Sequence, residues 1–168
     1  MKKVIPFLFC AVLSVSCGQQ DKTIPGTAQD ASSSADKQTH SRDRLQEITV
    51  YKSPSCGCCA AWVTYLEEEG FSVTSINSED MDSVKTKFGL PSQSLASCHT
   101  ALAGDYLIEG HVPASDIKKL LAEKPKAIKG LTAPGMPALS PGMGSRDPKD
   151  YDVLSFTSTG KTAIYSSY

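Results

Sequence analysis

The sequence lacks any marked excess of charge of one sign. It carries 17 Lys and Arg against 18 Asp and Glu in 168 residues, a formal net charge of −1. It has no basic patch and no interleaving of basic with aromatic residues, so neither a nucleic acid nor an anionic surface is indicated as a partner. The length suits one domain with a substantial core and is too short for two large domains.

The apolar run at the start of the chain is too short to span a bilayer comfortably. Val4–Val15 follows Met1-Lys2-Lys3 and has about a dozen residues, the length of a signal-peptide core. Small residues then precede Cys17, as in the lipobox of bacterial lipoproteins, although Leu13 lies one place further from the cysteine than the preferred pattern. We predict a signal peptide over residues 1–17 and a lipid anchor as the only membrane attachment, with ordinary cleavage nearby as the alternative.

Large aliphatic side chains are scarce in residues 18–44, where Ile24 is the single example. Such a segment cannot bury enough apolar surface to offset the entropy lost on ordering. We therefore predict a disordered tether that leads to a domain of residues 45–168. His40 lies in this tether and is expected to be a solvated side chain, not a ligand.

The six cysteines are unevenly distributed. Cys10 falls in the predicted signal peptide and Cys17 at the predicted anchor. Four thiols remain for chemistry: Cys56, Cys58, Cys59 and Cys98. Three of these lie between a β-type run, Ile48–Tyr51, and a helix predicted over Ala60–Glu69. Thiols at the start of a helix lie near the positive end of its dipole, which favours the nucleophilic, metal-binding thiolate.

Hydrophobic periodicity and turn residues predict the order β-α-β-α-β-β-α for the first part of the domain. After the first strand and helix, the predicted elements are Phe71–Ile76, Ser78–Phe88, Thr100–Ala103, Tyr106–Glu109 and Ala114–Glu123. This order, with a cysteine turn after the first strand, resembles the thioredoxin fold over roughly residues 46–125. We therefore predict the α/β class with a thioredoxin-like fold.

The remainder of the domain is predicted to be a loop followed by a hairpin. Residues 132–150 are rich in Pro and Gly and carry Pro-Gly-Met twice, ending at Met136 and Met143. Each methionine is a candidate thioether ligand or part of a lid, and the alternative is that it covers exposed core. Tyr151–Phe156 and Lys161–Tyr165 are predicted to form a C-terminal β-hairpin extension.

The resemblance to thioredoxin suggests how the thiols are arranged. Cys56 and Cys59 have the CxxC spacing of thioredoxin-like proteins, which carry a proline just before the hairpin, packed against that pair. Cys98 is found here in place of that proline, so a fourth thiol is expected to face the other three. Converging sulfurs suit a soft metal ion. The alternatives are two structural disulfides in an oxidising compartment, or a zinc site, which the adjacent Cys58 and Cys59 make less typical.

Two histidines lie near these cysteines in the sequence. His111 follows a predicted strand and precedes the helix after Pro113, which suits a metal ligand or a proton-handling residue. The alternative is an imidazole that caps local backbone. His99 neighbours Cys98, and neighbouring side chains in an extended segment point to opposite sides. We therefore expect His99 to point away from the site if Cys98 points into it.

Four motifs, in order, resemble a family of small exported proteins. They are Tyr51-Lys52-Ser53-Pro54-Ser55-Cys56-Gly57-Cys58-Cys59 with Trp62, Ser97-Cys98-His99-Thr100-Ala101, Glu109-Gly110-His111-Val112-Pro113, and Gly130-Leu131-Thr132-Ala133-Pro134-Gly135-Met136-Pro137 with Ser140-Pro141-Gly142-Met143. This family, called CopG, is associated with bacterial copper resistance and is distinct from the plasmid repressor of that name. The resemblance implies a periplasmic, thioredoxin-like, copper-binding protein with a redox role toward copper.

From the residues and this resemblance we predict a periplasmic copper-resistance protein. Its expected copper ligands are Cys56, Cys58, Cys59, Cys98 and His111. Cycling between Cu(I) and Cu(II) would make it a copper oxidoreductase, and a passive chaperone would transfer copper without turnover. The expected partners are copper ions and a periplasmic copper-handling or electron-transfer protein. The alternative is a thiol-disulfide oxidoreductase of exported proteins, with Cys56 as nucleophile and Cys59 as resolving thiol.

Overall fold

The structure is a computed structural model that describes residues 46–168. The predicted signal peptide and lipid anchor (1–17) and the predicted tether (18–44) lie outside these residues, as do Cys10, Cys17 and His40. Among the helices of residues 46–168, none has the length and apolarity needed to cross a membrane.

The described chain is a mixed α/β structure. Its strands are β1 (Gln46–Lys52), β2 (Phe71–Asn77), β3 (Thr100–Ala103), β4 (Tyr106–Glu109), β5 (Gly130–Thr132), β6 (Asp152–Phe156) and β7 (Thr162–Ser167). Its helices are α1 (Gly57–Glu68), α2 (Met81–Phe88) and α3 (Ala114–Glu123), with a 3-10 turn at Gln93–Leu95.

The seven strands form one sheet in the order β2-β1-β3-β4-β5-β6-β7. β1 pairs with β2 and β4 pairs with β5 in parallel, and the other neighbours are antiparallel. β6 and β7 are the predicted terminal hairpin. β5 was not predicted, because three residues are too few for an alternating pattern to be recognised.

The helices cover both faces of the sheet. Trp62 and Leu66 of α1 and Ile117 and Leu120 of α3 share one buried cluster with Ile48 and other inward residues of β1, β3 and β4. On the opposite face, Leu107 and Phe156 form a second cluster, against which Phe88 of α2 packs. α1 and α3 therefore lie on one face, and α2 lies on the other.

Two helix starts differ from the prediction. α1 begins at Gly57, not at Ala60, and Cys56 is its extended N-cap residue, with φ −78° and ψ 98°. The first turn contains Gly and two Cys, which are weak helix formers, so tertiary packing rather than local propensity forms it. α2 begins at Met81, not at Ser78, because the Asp80 side chain caps it by accepting from the Ser83 backbone N–H at 2.9 Å.

Candidate metal centre

The register of the sheet brings the predicted site segments to one end of four strands. Tyr51 near the end of β1 pairs with Thr100 at the start of β3. Thr100 pairs in turn with Glu109 at the end of β4, and Glu109 with Thr132 at the end of β5. The cysteine turn, Cys98, His111 and the Pro/Gly/Met-rich loop all lie within a few residues of these positions, so they meet at the same edge.

The four predicted sulfurs converge there. Cys56 and Cys59 form a disulfide across the first turn of α1, and Cys58 and Cys98 are free thiols. The Cys58 Sγ lies 3.5 Å from the Cys56 Sγ and 3.9 Å from the Cys98 Sγ. One atom from each of these four residues fits within 4.8 Å of the others, a spacing that could hold a metal ion.

Two imidazoles extend this group. The Cys98 Sγ lies 3.2 Å from the His111 Nε2 and 3.3 Å from the His99 Nδ1. Cys98, His99 and His111 form a second set of donor atoms within 4.8 Å of one another. The structure thus places His111, a predicted ligand, next to Cys98. The expectation that His99 points away from Cys98 is wrong, because both residues precede β3 and the alternation of an extended strand does not apply to them.

The orientation of His111 is set by the Pro/Gly/Met-rich loop. Its Nδ1–H donates to the Pro141 carbonyl at 2.7 Å. This assignment leaves the Nε2 lone pair directed at Cys98, because only one ring nitrogen of a neutral imidazole carries a proton. Fixing one ring nitrogen through a carbonyl is the usual way in which proteins orient a histidine ligand. No local pattern in the sequence indicates this contact, which joins residues 30 positions apart.

Trp62 closes the inner side of the site. Its indole ring centroid lies 4.4 Å from that of His99, and the rings of His99 and His111 are 4.9 Å apart in an edge-on arrangement. The Trp62 Nε1–H donates to the Val112 carbonyl at 3.0 Å. Within residues 46–168, the buried Nε2 of His99 has no hydrogen-bond partner. The inner wall of the site is therefore aromatic, and both imidazoles are fully buried.

Burial also sets the protonation of these groups. It lowers the pKa of His99 well below the ordinary imidazole value, helped by the nearby His111 and Lys85 charges, and it lowers the pKa of His111. Both rings are therefore neutral near pH 7, with a lone pair available for a metal. Burial, with the neighbouring Cys58, raises the pKa of Cys98 to about 11. Metal binding at Cys98 must therefore displace a proton.

The two Pro-Gly-Met segments contact the site through their backbone. Gly135 donates its N–H to the Ala96 carbonyl at 3.1 Å, beside the loop that carries Cys98. Gly142, at φ +84°, packs so closely on α1 that a Cβ would lie 2.9 Å from the Cys58 carbonyl oxygen. The Met136 side chain is 57% exposed. Met143 lines a surface cleft beside α1.

The donor set fits a soft metal ion. In the disulfide form the free donors are two thiols and two imidazoles, and reduction of the disulfide adds two more sulfurs. Thiolate and imidazole ligands suit copper and zinc, whereas Mg²⁺ and Ca²⁺ require oxygen. The class defined by this fold and site is a mixed α/β domain with a cysteine and histidine metal centre at one sheet edge.

The comparisons with known proteins identify the family. A family model described as "Protein of unknown function, DUF411" matches residues 95–143. Two solved structures, "Copper resistance protein copG- Form 1" and "Form 2", are each 40% identical to this chain. They cover 74% of it and 98% and 99% of their own chains, with TM-scores of 0.67 and 0.68. A comparison with curated proteins found no match. The chain belongs to the CopG copper resistance protein family, which confirms the resemblance found in the sequence.

Proposed function

We propose that this chain is a periplasmic copper-binding protein of copper resistance. Copper is its cargo, and the proposed ligands are the four thiols Cys56, Cys58, Cys59 and Cys98 with His111. The observation that carries the proposal is the convergence of four cysteines within 4.8 Å at a site to which His111 also contributes. Two solved structures from the same family, each 40% identical to this chain, are named as a copper resistance protein.

Cu(I) is the proposed state bound by the reduced thiols. Cu(I) is a soft ion that takes thiolate and imidazole ligands at low coordination numbers, so several sulfurs within a few ångströms suit it. Zinc is the chemical rival, since four thiolates also meet its tetrahedral preference. The adjacent cysteines at 58 and 59 are unlike the paired C-x-x-C ligands of most structural zinc sites, and the family points to copper.

The cluster also offers a redox step with copper. Two Cu(I) ions each give up one electron and become Cu(II), while the Cys56–Cys59 S–S bond accepts both electrons and opens to two thiolates. In the reverse direction, two Cu(II) ions take the two electrons and the disulfide forms again. This step makes the protein a copper oxidoreductase. A periplasmic copper-handling or electron-transfer protein is the proposed partner that resets it.

The arrangement of the first part of the domain supports a thioredoxin-like assignment. Strands in the order β2-β1-β3-β4, with α1 and α3 on one face and α2 on the other, follow the predicted β-α-β-α-β-β-α order. The periplasmic location and the lipid anchor are proposed from residues 1–17. Replacing Cys17 by Ser should move the protein from the membrane fraction to the soluble fraction, and a variant that stays in the membrane would contradict the anchor.

The direct test is an anaerobic Cu(I) titration against a competing chelator. The full chain carries Cys10→Ser and Cys17→Ser, so that only the four cluster thiols remain, and it is fully reduced first. We expect tight binding that weakens at least about tenfold in Cys98→Ser, because one sulfur is lost from the set. Ser55→Ala is the control, since Ser55 is exposed and contributes no sulfur. Absence of binding above the chelator background would overturn the copper proposal.

A second candidate function is thiol-disulfide exchange with exported proteins. The observation in its favour is the Cys56–Cys59 disulfide at the start of α1, where Cys56 is half-buried and Cys59 is fully buried. This is the arrangement expected of an accessible nucleophile and a protected resolving thiol. Insulin reduction by metal-free protein, unchanged in Cys98→Ser and abolished in Cys56→Ser, would favour this function over the first.

A further inference from the structure

A buried ion pair lies directly behind the metal centre. The Lys85 Nζ of α2 lies 2.5 Å from the Glu109 Oε1 at the end of β4, and the two side chains are 6% and 0% exposed. Removing two charges from water is costly, and a buried pair stabilises a fold only weakly unless other hydrogen bonds complete it. The question is therefore what the Glu109 carboxylate binds besides Lys85.

The carboxylate binds both ends of the segment that carries Cys98 and His99. The Ser97 N–H, immediately before Cys98, donates to the Glu109 Oε1 at 2.7 Å. The Thr100 Oγ1–H, immediately after His99, donates to the Glu109 Oε2 at 2.7 Å. The Lys85 Nζ also donates to the Thr100 Oγ1 at 3.0 Å. The Glu109 side chain thus holds both ends of a segment whose two central residues, Cys98 and His99, each carry a candidate metal-donor atom.

The same segment is held against the backbone that leads to His111. The Gly110 N–H donates to the His99 carbonyl at 3.0 Å. Gly110 has a φ of +74°, and a Cβ there would lie 2.5 Å from the Ser97 Cβ, so the two segments are in direct contact. Glu109 therefore sits between the segment of Cys98 and the segment of His111, which approach to 3.2 Å at the site.

We propose that Glu109, with its charge balanced by Lys85, is a positioning residue of the metal centre. It touches neither the sulfurs nor the metal, and it acts by fixing Cys98 and His99 relative to His111. This inference rests on the proposed copper function. Its physical basis is that the groups behind first ligands orient them, and their loss typically weakens metal binding about 10–100-fold.

The test separates positioning from simple support of the fold. The double variant Lys85→Met with Glu109→Gln removes both charges but keeps a side-chain oxygen that can accept from the Ser97 N–H. The double variant Lys85→Met with Glu109→Met has nearly the same shape and no such acceptor. Both proteins are compared with wild type in the full chain, reduced, by anaerobic Cu(I) titration and by amide hydrogen exchange of the metal-free protein.

We expect the glutamine variant to bind Cu(I) within about threefold of wild type and the methionine variant to bind at least about tenfold more weakly. In the metal-free proteins, exchange at the Ser97 amide should accelerate at least about tenfold in the methionine variant only, since that amide alone loses its acceptor. Both double variants lack the ion pair, so a purely structural role of the pair would weaken Cu(I) binding equally in the two. Cu(I) binding that is retained only in the glutamine variant therefore supports the positioning role.

A milder pair of variants applies if the methionine protein does not fold. Thr100→Val keeps the side-chain shape but removes the hydroxyl that donates to Glu109. Thr132→Val is the matched control, because the buried Thr132 hydroxyl lies at the end of β5 and donates to the Leu95 carbonyl instead of to Glu109. We expect weaker Cu(I) binding, by about threefold or more, in Thr100→Val only.

The two levels of inference fail in different ways. Equal Cu(I) affinity and equal Ser97 exchange in the two double variants, with wild type still binding tightly, would overturn the positioning role and leave the copper function intact. A wild-type protein that does not bind Cu(I) would overturn the copper function and the positioning role with it.

Discussion

Gly142 is where a single added methyl group should disturb the metal centre most selectively. Gly142 follows Pro141, whose carbonyl accepts from the His111 Nδ1–H at 2.7 Å. A Cβ at this position would lie 2.7 Å from the backbone nitrogen of Trp62 and 2.9 Å from the Cys58 carbonyl oxygen. These are backbone atoms of α1 and cannot rotate away. In Gly142→Ala the loop must therefore move off the helix, and the Pro141 carbonyl must move with it.

The size of the movement follows from the contacts. Raising 2.7 Å to the 3.4 Å at which ordinary contact begins needs a shift of about 0.7 Å. A displacement of that size lengthens the hydrogen bond from His111 beyond normal range, at a net cost of about 1 kcal/mol. Alanine at φ +84° adds about 1–2 kcal/mol of backbone strain. We expect a total destabilisation of about 2–3 kcal/mol and Cu(I) binding about 10–100-fold weaker, because His111 loses its orienting partner.

The other Pro-Gly-Met segment supplies the control. Gly135 has a φ of +71°, but a Cβ there meets nothing within 4 Å. Gly135→Ala should therefore cost only the backbone strain and leave Cu(I) affinity within about threefold of wild type. Urea denaturation measures the first effect and anaerobic Cu(I) competition the second. Equal losses of stability in the two variants, with Cu(I) binding unchanged in Gly142→Ala, would refute the reasoning.

Three further substitutions test contacts around the site and the fold. Trp62→Phe leaves the Val112 carbonyl without its donor and opens space beside the buried imidazoles. It should cost about 2–3 kcal/mol in urea denaturation, and a loss under about 1 kcal/mol would contradict this. Asp80→Ala should lower the melting temperature near neutral pH, since Asp80 caps α2 and its hydrogen bonds to Ser83 lower its pKa. That stabilisation is present above the ordinary carboxyl pKa and is lost as the pH falls through the lowered pKa of Asp80. The melting temperatures of wild type and Asp80→Ala should therefore converge in acid. A difference in melting temperature that stays constant with pH would rule out the cap. Arg146→Ala removes exposed ion pairs with Glu68 and Glu69 and should change stability by less than about 1 kcal/mol, with Cu(I) affinity unchanged. A larger effect in either measurement would mean that Arg146 supports the site.

The elements that the sequence predicted correctly are those with local signals. β3, β4 and α3 have the predicted bounds. Gly104 supplies the positive φ of +57° that the two-residue turn between β3 and β4 requires. Pro113 is the extended N-cap residue of α3, where its missing N–H has no cost. In both cases one or two residues contain the whole physical reason.

The elements that it missed depend on distant contacts. The first turn of α1 is held by the burial of Cys59, and β5 exists because β4 and β6 lie on either side of it. Neither fact can be read from the local residues. The four cysteines could be grouped from the sequence because the thioredoxin resemblance supplied a three-dimensional frame in which Cys98 faces the CxxC turn.

His99 shows why the inner part of the site could not be predicted in the same way. Strand alternation is valid only within a strand, and β3 begins at Thr100, one residue after His99, so alternation carries no information about the direction of this side chain. The direction of this side chain is instead consistent with the bonds from Ser97 and Thr100 to Glu109 and with the ring of Trp62 beside it. The two hydrogen bonds to Glu109 join residues that are 12 and 9 positions apart. The ring contact joins His99 to Trp62 of α1. A ligand set fixed by such a network follows from the packed fold, so the residues behind the ligands belong in any account of how tightly this centre holds its metal.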